Sequence, residues 1–484
     1  MSHIIKKSGL LIIGLIAGIM ISLNFSAIAK KDSVEAVHPL PIEELRTFAQ
    51  VFGRIKSDYV ESVEDKKLIT EAINGMLVGL DPHSSYLDKD EYKELQIGTQ
   101  GEFGGLGIQV TMEDGVVKVI SPIEDTPAFR AGIKTGDLIV KLDDKVVKGM
   151  TLNDAIKMMR GKPKTSIKIT IVREGESEPL IFKLIRDIIK IQSVKSKMLE
   201  PGYAYIRITQ FQEQTGENLA QAIKTLFSQN SGAMKGLILD LRNDPGGLLN
   251  GAVAVSAAFL PENALVVYTE GRSADAKMKL HASPEHYLRG SDVDFLKGLP
   301  QEAKTVPMIT LVNGGSASAS EIVAGALQDH KRSVVMGSQT FGKGSVQTIL
   351  PLGNNTAIKL TTARYYTPNG QSIQAQGITP DIKGETDSTD EERLRESDLN
   401  RHLSNGKTDK KKSAANLDPA IQIEKAIQET SDDTKEEKTK VKKNKKPLEF
   451  GSEEDLLLIQ AMNYFKGIKT TPKKKDDKNE KTES

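Results

Sequence analysis

Three serines occupy alternate positions where a buried strand pattern gives way to a helix. Ser316, Ser318 and Ser320 lie between an apolar run, residues 305–312, and a helical pattern, residues 322–328. A hydroxyl at a helix N-terminus lies beside unpaired backbone N–H groups, which can stabilise a developing oxyanion. A serine that only caps a helix is the commoner arrangement. The turn therefore predicts either a nucleophile for acyl transfer or a helix cap.

A serine nucleophile requires a base, and the seven histidines offer no convincing one. His330 falls at the far end of the helix that Ser318 would begin, roughly 18 Å away at a rise of about 1.5 Å per residue. His281 and His286 lie in a polar, irregular stretch and are poorly spaced as metal ligands, and His83 follows a helix stop. The histidines therefore predict neither a Ser–His triad nor a metal site.

Lysine is the alternative base, because burial lowers the pKa of its ammonium group by disfavouring the charged form. Lys343 lies in a turn between Gly342 and Gly344, and Phe341 is close by. The two glycines allow other groups to approach the backbone of this turn closely, and Phe341 makes its surroundings less polar. Most lysines of the chain are expected to be solvated, so position alone does not assign this role to Lys343.

Composition excludes several other chemistries. The 484 residues contain no cysteine, which excludes a thiolate nucleophile, a Cys-ligated zinc or iron–sulfur site and a disulfide framework. The 66 Lys and Arg against 65 Asp and Glu give a formal net charge of +1, so no global attraction draws the chain to nucleic acid. We expect no cofactor, no metal and no nucleic-acid partner.

The elements that must position these side chains alternate between strand and helix. Strand patterns at residues 204–208, 236–242 and 305–312 are each followed by a turn and a helical pattern. Repeated strand–turn–helix units are typical of a layered, mainly parallel sheet, whose sites form at the carboxyl ends of its strands. The second of these strands ends in the turn Asn243-Asp244-Pro245-Gly246-Gly247, and the third ends in the serine turn.

A different organisation precedes this region. Residues 97–186 contain short alternating strands, glycine turns and one helix, residues 152–159, capped by Thr151. This order resembles a PDZ domain, and the turn Gly105-Leu106-Gly107-Ile108 resembles its carboxylate-binding loop. Successive N–H groups of such a loop bind a terminal carboxylate while the adjoining strand edge pairs with an extended peptide. The resemblance implies recognition of a protein C-terminus, and glycines that serve only tight turns are the alternative.

The N-terminal part of the chain combines a targeting segment with helices. Lys6 and Lys7 precede an uncharged apolar run that ends at Ala27-Ile28-Ala29, the small-x-small pattern of a cleavage site. We expect residues 1–29 to be a signal peptide or a membrane anchor. Either function places the chain in the periplasm, and an anchor would attach it to the inner membrane. Residues 38–96 are predicted to form an N-terminal helical region.

The C-terminal part is highly charged. Residues 385–450 and 469–484 have few aromatic residues and are predicted to be a flexible linker and a disordered tail. Between them, residues 451–468 predict a C-terminal helix that begins after Ser452 as its N-cap and stops at Gly467. A tethered helix of this kind usually packs on a neighbour, so we expect a homo-oligomer.

Four motifs in collinear order make one resemblance specific. The motifs are Asp240-Leu241-Arg242-Asn243-Asp244-Pro245-Gly246-Gly247, Val312-Asn313-Gly314-Gly315-Ser316-Ala317-Ser318-Ala319-Ser320-Glu321, Gly342-Lys343-Gly344-Ser345-Val346-Gln347 and Tyr366-Thr367-Pro368-Asn369-Gly370. Over about residues 48–381 the chain resembles the bacterial carboxy-terminal processing peptidases, tail-specific serine proteases with an internal PDZ domain. The resemblance implies that Ser318 is the nucleophile, Lys343 the general base and Gln347 the group that orients the lysine amine.

The resemblance also implies an oxyanion hole built from the backbone N–H groups of Ala319 and of Gly246 or Gly247. The expected fold is α/β and α+β multidomain, with a layered α/β serine protease core at residues 187–384, an inserted PDZ domain and helical N- and C-terminal elements. The expected activity is that of a serine endopeptidase that cleaves near the carboxy terminus of its substrates. Its expected partners are protein or peptide C-termini, with an adaptor or activator protein left open.

Two other functions compete with this hypothesis. Residues 337–343 fit the P-loop spacing, but Gly344 stands where a metal-binding Ser or Thr is required, and a strand pattern follows instead of a helix. The chain could also be a catalytically inactive PDZ adaptor that binds peptides without cleaving them. Retention of both Ser318 and Lys343 argues against an adaptor.

Overall fold

The computed structural model describes most of the chain between residues 40 and 405 and a short C-terminal segment. The described ranges are 40–113, 115–123, 126–190, 192–290, 293–384, 394–405, 451–452 and 454–468. The expected signal peptide or anchor, the expected tail and the predicted linker apart from residues 394–405 lie outside the described residues. Two compact units divide the chain, residues 1–72 and 73–484.

The first unit contributes helix α1, Ile42–Asp58, and helix α2, Asp65–Val78, begins within it. Acidic residues in the first turn of α1 and Lys56 in its last turn complement the helix dipole. The apolar side chains of Leu45 and Phe48 are each 47% exposed, so α1 carries an uncovered apolar stripe. Within the described ranges, no helix combines the length and the hydropathy needed to cross a membrane.

A PDZ domain follows a short strand and a capped helix. The elements in chain order are β1 Ser85–Leu87, α3 Lys89–Gln100, β2 Glu102–Gly105, β3 Ile108–Glu113, β4 Val116–Pro122, α4 Pro127–Arg130, β5 Leu138–Leu142, β6 Lys145–Val146, α5 Leu152–Met159, β7 Ser166–Val172, β8 Leu180–Ile185 and β9 Asp187–Lys190. In β7 the alternate residues Ile167, Ile169 and Ile171 are buried, because successive side chains of a strand point to opposite faces. The expected cap is confirmed, since the Thr151 side chain accepts the Asp154 N–H at 3.2 Å.

The α/β core is built on a six-stranded sheet of order β10-β11-β12-β15-β16-β19. Its elements, with those of a second sheet, are β10 Val194–Glu200, β11 Tyr203–Ile208, α6 Thr215–Gln229, β12 Gly236–Asp240, α7 Leu249–Phe259, β13 Leu265–Gly271, β14 Lys279–His281, α8 Pro284–Tyr287, β15 Met308–Val312, α9 Ala319–Asp329, β16 Val334–Gly337, β17 Ser345–Pro351, β18 Ala357–Tyr366 and β19 Ile382–Lys383. The predicted parallel sheet is confirmed from β11 to β19, and β10 is antiparallel to β11. The second, antiparallel sheet joins β1, β18, β13 and β14 and adds β17 beside β18.

A C-terminal helix, α10, Leu456–Phe465, covers the second face of the six-stranded sheet. Its buried residues include Leu457, Leu458 and Ala461, which pack against side chains of β11, β12, β15 and β16. Strands β12 and β15 are buried throughout because α10 closes one face while α6, α7 and α9 cluster on the other. The predicted start of this helix was wrong: Asp455, not Ser452, is the N-cap, and its side chain accepts the Leu458 N–H at 3.2 Å.

A short segment, residues 394–405, falls inside the stretch that the sequence assigns to a flexible linker. It contains a 3-10 turn, Glu396–Asp398, and lies against the turn that carries Lys343. The Glu396 N–H donates to the Phe341 carbonyl at 3.1 Å, and the Glu396 side chain is buried. The many charged residues of this segment predicted a flexible linker. A sequence pattern does not show that one of its carboxylates is buried and hydrogen-bonded in the folded chain.

Candidate active site

Ser318 is the N-cap of α9, at the carboxyl end of β15. Its backbone lies at φ 55° and ψ −111°, on the side of φ that favours glycine. Residues held in such conformations cluster at functional sites, where the surrounding structure enforces them. The sharp turn from strand to helix therefore presents the Ser318 side chain at a helix N-terminus.

The two competing serines are committed to structural hydrogen bonds. The Ser316 hydroxyl donates to the Leu241 carbonyl at 2.8 Å, and the Ser320 hydroxyl donates to the Asp244 carbonyl at 2.9 Å. Both residues have no solvent exposure, whereas Ser318 between them is partly exposed. Ser316 and Ser320 thus fasten the serine turn to the loop after β12 and leave Ser318 as the accessible hydroxyl.

Glu321 is a site residue that the sequence reasoning missed. Its Oε2 accepts the Ser318 N–H at 2.8 Å and the Lys343 N–H at 2.9 Å. Its Oε1 accepts the Gly342 N–H at 2.7 Å and the Thr340 hydroxyl at 2.5 Å. Burial raises the pKa of Glu321 to about 7, against the effect of these four bonds. The serine-x-x-glutamate spacing of a capping box was the available signal.

Lys343 is partly buried in the turn between β16 and β17. Burial lowers the pKa of its ammonium group below the usual lysine value, and the positive charge of Lys359 lowers that pKa further. The carboxylates of Glu396, Glu321 and Asp81 act in the opposite direction. Ser318 and Lys343 are connected through Glu321, which accepts the main-chain N–H of each. Among the described residues, no hydrogen bond joins Ser318 Oγ to Lys343 Nζ.

Gln347 lies two residues into β17, on the sheet that follows the Lys343 turn. Its amide nitrogen donates to the Ser345 hydroxyl at 3.0 Å and to the Thr361 hydroxyl at 3.3 Å. Thr361 in turn donates to Asp81 Oδ1 at 3.0 Å. The Gln347 amide therefore points toward Ser345 and Thr361. Orientation of the Lys343 amine by Gln347 stays a prediction.

A buried network supports the other side of the Lys343 turn. Glu396 contacts His83 Nε2 with one carboxylate oxygen at 2.8 Å and accepts the Gln374 amide with the other at 2.9 Å. The side-chain oxygen of Gln374, Oε1, then accepts the Gly344 N–H at 3.1 Å. His83 and Glu396 were not predicted as site residues, because their partners come from segments that are remote in sequence.

The loop after β12 runs directly against the serine turn. Gly246 has φ 96°, and a Cβ built on it would lie 2.9 Å from the Ser318 Cβ. Gly247 has φ 147°, and a Cβ there would lie 2.0 Å from the Phe211 carbonyl oxygen. Both positions therefore require glycine. The Gly246 N–H donates to Asp244 Oδ1 at 2.9 Å, so of the two glycines Gly247 has the N–H that is uncommitted among the described residues.

Asp244 supports this loop from a fully buried position. Its main-chain oxygen accepts the Ala317 N–H at 3.0 Å as well as the Ser320 hydroxyl. Burial raises the pKa of the Asp244 carboxyl to about 8, although the Gly246 N–H favours the ionised form. Burial thus favours the neutral carboxylic acid form of Asp244 over the carboxylate.

Two cavities lie near the residues that the sequence singled out. One of ≈ 380 Å³ is bordered by β13 and β18 and includes Glu270, Thr361 and Leu403 in its lining. The other, ≈ 480 Å³, lies between α3, β2 and α5, and Lys157 and Arg160 contribute to its wall. The first is next to the Gln347 and Lys343 region, and the second is next to the predicted carboxylate loop.

The predicted PDZ loop joins β2 to β3. Gly105 ends β2, Leu106 is buried, Gly107 has φ 76°, and Ile108 begins β3. A Cβ on Gly107 would lie 2.2 Å from the Cβ of Thr126, so the loop is closed tightly against the start of α4. Binding of a carboxylate by this loop stays a prediction.

Comparisons with known proteins agree with this architecture. Peptidase family S41 matches residues 202–384, a PDZ domain matches residues 104–184, and the activating protease CtpB N-terminal domain matches residues 17–91.

Several relatives share most of their length with the chain. The carboxy-terminal-processing protease of Bartonella bacilliformis is 48% identical over 372 residues, which cover 77% of this chain and 82% of the relative. The carboxy-terminal processing protease CtpA of Bacillus subtilis is 37% identical over 337 residues, or 69% and 68% of the two chains. The solved structure of the photosystem II D1 C-terminal processing protease is 30% identical, with a TM-score of 0.39 over 69% of this chain and 86% of that one. The chain is therefore a serine-type peptidase that belongs to the carboxy-terminal-processing proteases of family S41, with a PDZ domain.

Proposed function

We propose that the chain is a serine endopeptidase whose catalytic dyad is Ser318 and Lys343. The observation that carries this proposal is the Glu321 carboxylate, which accepts the main-chain N–H of both residues. A single buried side chain thereby holds nucleophile and base in a constant relation. The accessibility of Ser318 and the lowered pKa of Lys343 give each residue the property that its role requires.

The proposed reaction is acyl transfer in two steps. Neutral Lys343 takes the proton of the Ser318 hydroxyl as the oxygen attacks the scissile carbonyl carbon. The resulting ammonium group then donates that proton to the leaving amine, and the C–N bond breaks to give an acyl-enzyme. In the second step Lys343 takes a proton from water, the water oxygen attacks the ester, and the proton returns to Ser318. Lysine thus acts as base and as acid in turn.

The negative charge that develops on the carbonyl oxygen needs two donors. The N–H groups of Gly247 and Ala319 are the donors that we propose, because Gly246 is already bonded to Asp244. Ala319 is the first residue of α9, where the N–H groups have no intrahelical partner. Such fixed donors contribute to rate because they need no reorganisation during the reaction.

Substrate C-termini are the proposed ligands of the PDZ domain. The loop formed by Gly105, Leu106, Gly107 and Ile108 directly follows Phe103 and Gly104, which line a cavity together with Lys157 and Arg160. The positive charges of those two side chains complement a carboxylate. Both cations form ion pairs with acidic residues of α3: Lys157 pairs with Asp90 at 2.7 Å, and Arg160 pairs with Glu94. The names of the relatives support cleavage near the carboxy terminus.

Location and assembly are further parts of the proposal. The residue pattern of 1–29 supports export to the periplasm, with attachment to the inner membrane where that segment is retained. The exposed apolar stripe of α1 supports a homo-oligomer or an adaptor or activator protein as partner. Sedimentation of the purified chain measures its oligomeric state, and charged substitutions at Leu45 and Phe48 test whether a homo-oligomer depends on this stripe.

The decisive experiment compares Ser318→Ala and Lys343→Ala with the parent on a peptide that has an apolar, free C-terminus. We expect both variants to lose cleavage by at least 10³-fold, on the order of what removal of a nucleophile or its base costs. Ser228→Ala and Lys235→Ala, at exposed sites, are the matched controls and should cleave normally. Cleavage by both active-site variants at the parental rate would contradict the dyad. A parent that binds the peptide and never cleaves it would support the adaptor alternative.

A further inference from the structure

A buried charge cluster lies beneath the loop that carries Gly246 and Gly247. Arg242 follows β12 and forms a two-pronged contact with Asp455, from Nη1 at 2.8 Å and from Nη2 at 2.6 Å. The same guanidinium donates to Asp240 Oδ2 at 2.6 Å. Both carboxylates are fully buried, and Arg242 is 4% exposed. The cluster is therefore shielded from water, where such contacts are strongest.

The described charged groups of this cluster come from the core and from the C-terminal helix. The core of the protease contributes two guanidinium groups, Arg207 and Arg242, and one carboxylate, Asp240. Asp455 supplies the second carboxylate from a position 213 residues later in the chain. A buried charge without a partner is strongly disfavoured. Loss of the Asp455 carboxylate would therefore remove one of the buried acids that the Arg242 guanidinium contacts.

The N-cap position of Asp455 explains how that charge is held in place. The carboxylate accepts the N–H groups of Leu458 at 3.2 Å and Gly451 at 3.1 Å while it binds Arg242. Burial on its own would raise the pKa of Asp455, but Arg242 and these N–H groups hold that pKa below its usual value. Asp455 is consequently ionised and cannot leave the cluster without breaking the cap of α10.

Arg242 is connected to the proposed oxyanion loop through very few residues. Asn243, directly after it, has φ 55°, and its N–H donates to Asn313 Oδ1 at 2.9 Å. Gly246 and Gly247 follow and contact the serine turn and Phe211. A shift of the Arg242 backbone would therefore be passed to the Gly247 N–H, because the intervening turn is tightly bonded at both ends.

We propose that Asp455 is a positioning residue for catalysis, which fixes the oxyanion loop through Arg242 and makes helix α10 a working part of the protease core. This inference rests on the proposed function, since it assigns the Gly247 N–H to the oxyanion. It differs from a purely structural role in one respect. Loss of the Asp455 charge should impair stabilisation of the tetrahedral intermediate more than it impairs binding of the substrate.

The test is Asp455→Asn in the full chain, because asparagine is also a good N-cap. The substitution removes the charge and replaces one of the two acceptor oxygens with an NH₂ group, which cannot accept from Arg242. We expect kcat to fall at least ten-fold with KM unchanged within two-fold, at a temperature well below the Tm of the variant. Glu454→Gln removes an exposed carboxylate from the adjacent position and should leave both constants unchanged. A kcat within two-fold of the parent in Asp455→Asn overturns the proposal.

A peptide boronic acid separates this inference from the proposed function. The boronic acid forms a tetrahedral adduct with the nucleophile, whereas the unmodified peptide of the same sequence does not. We expect Ser318→Ala to abolish the extra affinity of the boronic acid and Asp455→Asn to weaken it at least ten-fold, with peptide affinity preserved. If Ser318→Ala binds the boronic acid as the parent does, the proposed function fails. If only Asp455→Asn binds it normally, the positioning role alone fails.

Arg242→Lys keeps the inference testable if Asp455→Asn does not fold. Lysine retains the charge balance of the cluster but cannot make a two-pronged contact with one carboxylate while binding the other. We again expect a fall in kcat of at least ten-fold without a matching change in KM. Parental kcat in a folded Arg242→Lys variant overturns the proposal.

Discussion

Ser318 and Lys343 donate their main-chain N–H groups to the same oxygen atom, Oε2 of Glu321, at 2.8 Å and 2.9 Å. The carboxylate is fully buried and also accepts two donors from the Lys343 turn on Oε1. Because these bonds involve the main chain, they fix the positions of two backbones and leave both reactive side chains available. On the roles proposed for Ser318 and Lys343, this relation explains how a nucleophile and a base from different turns keep one geometry.

Glu321→Gln is predicted to reduce catalysis and stability together. An amide has only one acceptor oxygen, so at least one N–H group of the two turns would face an NH₂ group. We expect kcat/KM to fall on the order of 10²-fold, as for a small misplacement of reacting groups, and the free energy of unfolding to fall by about 1–3 kcal/mol. Peptide cleavage and urea unfolding measure these two effects. Glu217→Gln, an exposed acid in the first turn of α6, should show neither.

The pH dependence of cleavage is predicted to move in opposite directions in two variants. If Lys343 is the base, as proposed, activity requires its neutral form and rises as the pH increases through the pKa of that residue. The charge of Lys359 lowers this pKa and the charge of Glu396 raises it. Lys359→Gln should therefore shift the rising limb of kcat/KM to higher pH, and Glu396→Gln should shift it to lower pH. Shifts of the same sign, or none, would contradict the role of Lys343 as base.

Stability is predicted to depend on pH through Asp244. Its pKa is raised by burial to about 8 in the folded chain, whereas an unfolded aspartate titrates near its usual value of about 4. The folded state then binds one more proton than the unfolded state between these values, so this contribution is complete below about pH 4 and is lost as the pH rises toward 8. Asp244→Asn removes the effect. The difference in unfolding free energy, parent minus variant, should decrease steadily from pH 4 to pH 8.

Gly247→Ala is predicted to damage the site without altering its charge. The new methyl group would collide with the Phe211 carbonyl, 2.0 Å away, at a φ of 147° that alanine rarely adopts. We expect a loss of kcat of at least ten-fold and a loss of stability above about 1 kcal/mol. Gly232→Ala, where a Cβ meets nothing within 4 Å, is the control and should be nearly neutral.

Recognition of a free carboxylate is predicted to depend on the PDZ loop. A peptide with an amidated C-terminus should be cleaved less efficiently than its acid because it lacks the charge that the loop N–H groups bind. Gly107→Ala crowds Thr126 and should reduce or remove this preference. The ratio of kcat/KM for acid and amide measures the effect. Equal kcat/KM values for the acid and the amide in the parent enzyme would show that the loop does not recognise the carboxylate.

Sequence patterns predicted the local elements well and the long-range contacts poorly. The strand before the serine turn, the helix that Ser318 begins and the cap at Thr151 all follow from short-range rules of periodicity and capping. Glu321 was overlooked because its importance depends on the Lys343 turn, which is adjacent only in the folded chain. The same reason hid Glu396, whose charged surroundings in sequence conceal a buried contact with His83.

The long separation between Arg242 and Asp455 also sets an order of events during synthesis. A chain emerges with its N-terminus first, so Ser318, Lys343 and the loop of Gly246 and Gly247 are all made before Asp455 leaves the ribosome. On the proposed role of Asp455, the growing chain would hold every proposed reactive group before it has the carboxylate that binds Arg242. Hydrolytic competence would then arise only after α10 has been translated and has packed on the core.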